Sequence, residues 1–384
     1  MTASIAPLRP TSPPRSAYVH VPFCRHRCGY CNFTVLAGRD GLAGLYLDAL
    51  AVELSALSNP RLVETLYLGG GTPTRLVGAE LDRLLLLARE WFPLEASGEW
   101  TVEANPGDLS GESIAQLVDA GVTRLSLGVQ SLNEAKLCRL ERDHTPDQVR
   151  GVVETARTAG LEVAIDLIFA APGETLSDWR RDLRDAIALR LTHASTYGLT
   201  YEKGTSFWSR RRRGDLTELG DDLQRAMYVE AIECLTAAGL EHYEVSNHAL
   251  PGRRSRHNEA YWAGRAYYAA GPGAARYVGG VRETNHRSVA TWLRRVTAGE
   301  SPVAERDELT DEEAARERLV FALRRLEGVD RGVFRAATGY AIDRLAGEAI
   351  GRLVEHGLLA DDGERVRLTR EGLLVSDAIW PELL

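Results

Sequence analysis

From residue 16 to about 245, short β-branched or aromatic runs alternate with amphipathic stretches of helical period. The runs fall at 17–20, 65–68, 100–103, 124–129, 163–169 and 195–200, and helical patterns lie between them at 41–57, 79–91, 111–120, 147–159 and 176–189. Repeated strand-then-helix units predict an α/β fold with a parallel sheet, here a partial (β/α)6 barrel of the TIM type. Loops after the strands of such a barrel converge on one mouth, so reactive groups gather at the C-terminal strand ends. Every polar residue below can be tested against that rule.

Beyond residue 245 the rhythm changes. Segment 248–280 is rich in Gly, Arg and aromatic residues without a period and reads as loops and short elements. Residues 310–384 read as a small, mainly helical, winged-helix-like unit, with helices at 311–326 and 341–356 and a strand at 366–368 after the Asp-Asp-Gly turn at 361–363. The expected organisation is a flexible arm over 1–15, a core over 16–245 and a C-terminal domain over 246–384. A winged helix suggests nucleic acid, but the second helix sets Asp343, Glu348 and Glu355 against Arg344 and Arg352. It has no basic face for phosphate, so packing against the barrel is the expected role.

Composition narrows the function classes. The chain of 384 residues carries 46 basic and 54 acidic side chains, a net charge of -8, which disfavours non-specific binding to nucleic acid or anionic lipid. Four arginines at 210–213 are followed by Asp215, Glu218, Asp221 and Asp222, a pattern that predicts a solvated loop. Without a signal-peptide pattern or a long apolar run, a cytoplasmic location is expected. Reducing conditions there disfavour disulfides, so the placing of the five cysteines matters more than their number. Cys138 and Cys234, flanked by apolar neighbours, read as small buried residues, with a fourth ligand as the alternative for either.

The remaining three, Cys24, Cys28 and Cys31, form Cys-x3-Cys-x2-Cys directly after the first strand. Three thiolates on one loop can hold three irons of a [4Fe-4S] cluster and leave the fourth iron open, whereas the spacing matches no usual zinc pattern. Gly69-Gly70-Gly71-Thr72-Pro73-Thr74 follows the second strand, where absent side chains let main-chain groups approach a ligand. Glu103 ends the third strand, Gln130 follows the fourth, Arg142 lies twelve residues later, and Asp166 sits within the apolar fifth strand. Together these residues compose a polar pocket, with an acid suited to ribose hydroxyls and an arginine suited to a carboxylate.

The cysteine spacing, with aromatic Tyr30 before the third cysteine, resembles the radical S-adenosylmethionine (SAM) superfamily. The resemblance implies that SAM chelates the open iron and that the reduced cluster cleaves its sulfonium to a 5′-deoxyadenosyl radical. Over residues 16–380 the chain is similar to the oxygen-independent coproporphyrinogen III oxidase-like branch, and within it to the heme chaperones. That similarity implies SAM contacts at Tyr18, Gly70, Gly71, Thr72, Glu103, Gln130, Arg142 and Asp166. Ala170 departs from the branch, which usually has glycine there.

Oxidase and chaperone predict different residues. The oxidases resemble Cys-x3-Cys-x2-Cys-x-Cys, but position 33 here is Phe33, and only 23 residues precede Cys24. Conversely, His257-Asn258-Glu259-Ala260-Tyr261-Trp262 matches the stretch associated with heme binding among the chaperones. His257 is therefore the expected axial ligand, with a purely structural role for it as the alternative. The resemblance implies heme as cargo and acceptor proteins as partners, among them membrane-bound respiratory enzymes that would draw the protein to the membrane periphery. Coproporphyrinogen oxidation, another radical SAM reaction on a tetrapyrrole, and an oligomerising scaffold are the alternatives. SAM-cleavage capability is expected, no catalytic side chain is assigned, and a homodimer remains open.

Overall fold

The computed structural model describes residues 13–384, so the arm expected over 1–15 lies outside the described residues as far as residue 12. Six parallel strands follow one another across the main sheet: β1 (Ser16–Val21), β2 (Val63–Gly70), β3 (Leu94–Ala104), β4 (Arg124–Gln130), β5 (Glu162–Phe169) and β6 (His193–Gly198). Helices α1 (Ala43–Ser55), α2 (Ala79–Trp91), α3 (Gly111–Ala120), α4 (Glu134–Arg139), α5 (Pro146–Thr158) and α6 (Leu176–Ala188) lie in the crossovers. The helices start where chemistry favours it. Thr145 and Thr175 each accept the main-chain N–H three residues on, while Gln148 and Asp178 reach back to complete capping boxes.

The sheet does not stop at six strands. Antiparallel β7 (Glu241–Glu244) and β8 (Asn247–Ala249) extend the β6 side, and β9 (Tyr268–Ala270) joins β1 in parallel at the other edge. Segment 248–280, expected as loops and short elements, supplies short sheet strands and one short helix. Between β8 and β9 lies α9 (Arg256–Trp262), held against the bottom of the barrel where Glu99 accepts the main-chain N–H groups of Arg256 and His257.

Two other expectations are corrected. The arginine run at 210–213 lies in helix α7 (Ser206–Arg213), not in a loop: Thr205 caps its start, Gly214 ends it at φ 81°, and Arg212 stacks on Trp208. Cys138 is exposed and Cys234 is only half-buried, on α8 (Asp221–Ala237), where its thiol donates to Glu230. The apolar neighbours of each cysteine point to the core from the adjoining face of the helix, which flanking residues alone do not reveal.

A second core lies towards the C-terminus. Leu319, Phe334, Ile350, Leu353 and Val366 pack among α10 (Asp311–Leu323), α11 (Arg331–Thr338), α12 (Ile342–Glu355) and a three-stranded wing. It is joined to the barrel by polar links: Arg370 pairs with Glu233, Arg225 with Glu371, and the Leu326 N–H donates to the Tyr243 carbonyl. These contacts come from residues outside those three helices, whereas α12, expected to pack on the barrel, packs chiefly within its own unit.

Between the loops after β4 and β5 and helix α6 a charge cluster is sealed from solvent. Lys136 on α4 donates to Glu174 (2.5 Å) and Asp182 (3.0 Å), and Asp182 also accepts from Ser131 and the Leu132 N–H, while Glu174 accepts from the Ala171 N–H. The cluster ties the loop after β4 to the loop after β5, the two segments that carry Gln130 and Ala170. Removing one member strands the others, at a cost of about 3–5 kcal/mol. Lys136→Met should therefore lower the denaturation midpoint sharply, measured by chemical unfolding followed by circular dichroism.

Candidate functional site

A cavity of about 1430 Å³ opens at the C-terminal ends of the strands. It is lined by Cys24, Cys28, Tyr30 and Cys31 from the loop after β1, by Gly70, Gly71 and Thr72 after β2, and by Glu103, Gln130, Arg142 and Asp166. Eleven residues singled out by pattern and position thus share one wall. The strand-end rule explains why: each β-to-α loop of a parallel barrel leaves the same face.

Close approach decides the glycine turn. Gly71 donates its N–H to the Val21 carbonyl and Thr72 to that of Phe23, which seats the turn on the end of β1. A Cβ at Gly71 would lie 2.6 Å from the Phe23 carbonyl oxygen, and one at Gly70, whose φ is 107°, would fall inside the His20 ring. Glycine is required at both positions. The turn in turn places the Thr72 hydroxyl 3.8 Å from the Cys24 sulfur.

The thiols are free and face one another's field. Burial pushes the Cys24 thiol up to about 12 and raises Cys31, each opposed by a hydrogen bond and by Arg142. Arg142 is half-buried, with one Nη 3.5 Å from the Cys28 sulfur and the other donating to Asn105 and to the Gly128 carbonyl; its buried Nε meets no protein partner. Cys28 is buried and Cys24 and Cys31 are half-buried, so the thiolate forms of Cys24 and Cys31 call for positive charge beyond that of Arg142, which a bound metal group would supply. The loop offers three thiols at Cys-x3-Cys-x2-Cys spacing, which is not a usual zinc pattern. The donor set fits a polynuclear cluster.

Two carboxyls face the same cavity. Burial raises Glu103 to about 7, although the Tyr67 hydroxyl (2.7 Å) and the Gly70 N–H (2.9 Å) both donate to it. Asp166 rises to about 6 for the same reason, relieved by Ser195 and by the charges of Arg124 and Arg142. Raised carboxyls that face a cavity are the pattern expected of a binding site. Gln130 adopts φ 64°, a left-handed conformation that turns it to the cavity wall, and Ala170 has the same φ. The methyl at Ala170 therefore carries a conformational cost of about 1 kcal/mol that glycine would avoid.

Two expected contacts are not brought to the cavity. Tyr18 lies behind the wall, its hydroxyl 3.0 Å from His20 Nδ1 and its ring 6.0 Å from that of Tyr67. His257 is 1% exposed at the other end of the barrel, with Nδ1 2.9 Å from the Thr65 hydroxyl and Nε2 2.9 Å from the Tyr261 hydroxyl. Burial lowers its pKa to about 3, so it is neutral. Sequence reasoning passed over Tyr67, Arg124, His193 and Ser195, whose inward positions follow from strand alternation only once the barrel is closed. It also passed over the segment at 373–378, which reaches the cavity from the second core.

Comparison with known proteins agrees with this geometry. Residues 18–186 match the Radical SAM superfamily model and residues 309–375 match the HemN C-terminal domain model, so barrel and cysteine loop together define a radical SAM protein. Over 372 residues the chain is 38% identical to "Heme chaperone HemW" of Lactococcus lactis, covering 97% of each, and it is 33% identical to "Heme chaperone HemW" of Escherichia coli, covering 96% of this chain and 97% of that one. The crystallised coproporphyrinogen III oxidase HemN of Escherichia coli superposes with a TM-score of 0.86 at 23% identity, covering 98% of this chain and 91% of that one, a likeness of fold. The chain belongs to the HemW branch of the radical SAM superfamily.

The raised carboxyls predict a pH response. A carboxyl whose folded pKa exceeds its unfolded value leaves the folded state holding more protons, so stability falls as pH rises from about 4 to above 7. Glu103→Gln should raise the thermal midpoint of the ligand-free protein at pH 8 and leave it little changed at pH 4.5. An unchanged midpoint at pH 8 would mean that Glu103 is not held against its own ionisation.

Proposed function

We propose that the protein is a heme chaperone: it carries a [4Fe-4S] cluster on Cys24, Cys28 and Cys31, takes SAM at the open iron, binds heme and passes it to an acceptor protein. The observation that carries this reading is the three-thiol loop beside the seated glycine turn, with Phe33, 60% exposed, where an oxidase would place a further cysteine. Relatives at 33–38% identity along nearly the whole chain are named for heme chaperoning, which supports the same assignment.

When bound, the cluster and SAM supply one-electron reductive chemistry at the sulfonium. This chain's residues bind and orient. Gly70, Gly71 and Thr72 offer main-chain groups to the SAM amino acid end, Glu103 meets its ammonium, Arg142 its carboxylate, and Asp166 and Gln130 the ribose. Tyr30, packed edge-on against Phe207 at 6.0 Å, covers the cluster loop. At about 1430 Å³ the cavity exceeds the roughly 300–1,000 Å³ that one small molecule needs.

Heme ligation by His257 requires a change at α9. Its neutral imidazole needs no deprotonation to bind iron, but both nitrogens are engaged, so iron must replace the bond to Thr65 or to Tyr261. Membrane-bound respiratory enzymes are the acceptors the family resemblance implies. No described helix is long and apolar enough to cross a membrane, so contact with them would run along an exposed face.

Anaerobic reconstitution should yield about four irons per chain, with Cys28→Ser losing most of them. Electron paramagnetic resonance of the reduced cluster should change on adding SAM, and hemin should titrate to one equivalent with a Soret band that shifts in His257→Ala. Decarboxylation of coproporphyrinogen III by the reconstituted protein would overturn the chaperone assignment. A spectrum indifferent to SAM would leave the cluster a structural staple.

A further inference from the structure

A column of rings runs through the barrel from α9 to the glycine turn. His257 stacks on Tyr67 with centroids 5.0 Å apart, Tyr67 meets Tyr18 at 6.0 Å, and Tyr18 meets His20, against which Gly70 is seated. Tyr67 belongs to both ends. Its ring face is covered by the imidazole, and its hydroxyl donates to Glu103 Oε1, whose Oε2 accepts the Gly70 N–H. A Cβ at Gly69 would strike both Tyr67 and Glu103, so the two are packed with no slack.

We infer that Tyr67 is a positioning residue that makes SAM binding at Glu103 and Gly70 antagonistic to heme capture at His257, so that SAM promotes heme release. This rests on the function proposed above. The physical reason is that iron can ligate His257 only if the imidazole leaves Thr65 or Tyr261, which uncovers the Tyr67 ring and loosens the hydroxyl that orients Glu103. SAM bound on an oriented Glu103 holds Tyr67, and through it the imidazole, in the packed arrangement. Linkage requires the effect to be reciprocal: heme must weaken SAM by the factor by which SAM weakens heme.

The groups facing Glu103 define its pH behaviour. Tyr67 and the Gly70 N–H come from β2, Tyr18 from β1, Asp166 from β5, Tyr197 from β6 and Tyr261 from α9. Of these only Tyr67 and Gly70 donate to it and hold its pKa down. Deleting the hydroxyl lets that pKa rise, so the carboxylate that meets the SAM ammonium is lost at a higher pH.

The test is equilibrium binding of SAM and of hemin to the cluster-loaded protein and to Tyr67→Phe, which keeps the ring and removes one oxygen. In the wild type, saturating SAM should weaken hemin binding severalfold, and hemin should weaken SAM equally. In Tyr67→Phe, with iron content unchanged, SAM should bind about tenfold more weakly at neutral pH, the scale of a lost hydrogen bond to a charged group. The pH midpoint of its SAM affinity should move up, and the antagonism should shrink. Independent or mutually favourable binding in the wild type overturns the inference while leaving the function standing, and so does a Tyr67→Phe protein with unaltered pH midpoint and antagonism. Protein that binds no SAM or no hemin fails the proposed function first, and the inference with it.

Discussion

The seating of the glycine turn on the end of β1 is the contact on which the site depends. Two main-chain hydrogen bonds, from Gly71 to Val21 and from Thr72 to Phe23, bring two strand ends closer than side chains permit. The cysteine loop begins at that junction, so thiols and ligand-facing main chain are held in one frame by backbone alone. Backbone contacts of this kind carry little rotamer entropy to lose, which makes them precise supports for a cofactor.

Around that frame the protein accepts unfavourable electrostatics at the cavity and keeps a fully paired charge cluster beside it. Burial raises Glu103, Asp166, Cys24 and Cys31 alike. Behind the loops after β4 and β5, Lys136, Glu174 and Asp182 satisfy one another and three main-chain or hydroxyl donors in a sealed network. Such a network is rigid because every member has a fixed partner. It fixes the loops that present Gln130 and Ala170, both in left-handed conformations that a looser loop would abandon.

Rings fill the barrel where a TIM-type interior usually carries branched aliphatic layers. The column from His257 to His20 transmits position without carrying charge, since burial keeps its imidazoles neutral and its phenols protonated. His257 thereby has two roles open to it, packed residue and ligand, and the exchange between them is a matter of hydrogen-bond partners rather than of protonation.

Much of this was legible in the order of residues. Alternating strand and helix periods determined the six-stranded barrel, and local spacing determined the thiol loop and glycine turn, because both depend on neighbours a few positions apart. The strand-end rule then carried Glu103, Gln130, Arg142 and Asp166 to the cavity wall. What the order of residues left undecided was everything set by distant partners. Tyr18 turned to His20, His257 was enclosed by Thr65 and Tyr261, Cys138 faced outward, and Lys136 found its acids 38 and 46 residues away. Periodicity reports which face of an element is apolar; only the closed barrel decides which polar groups on that face meet each other and which meet a ligand.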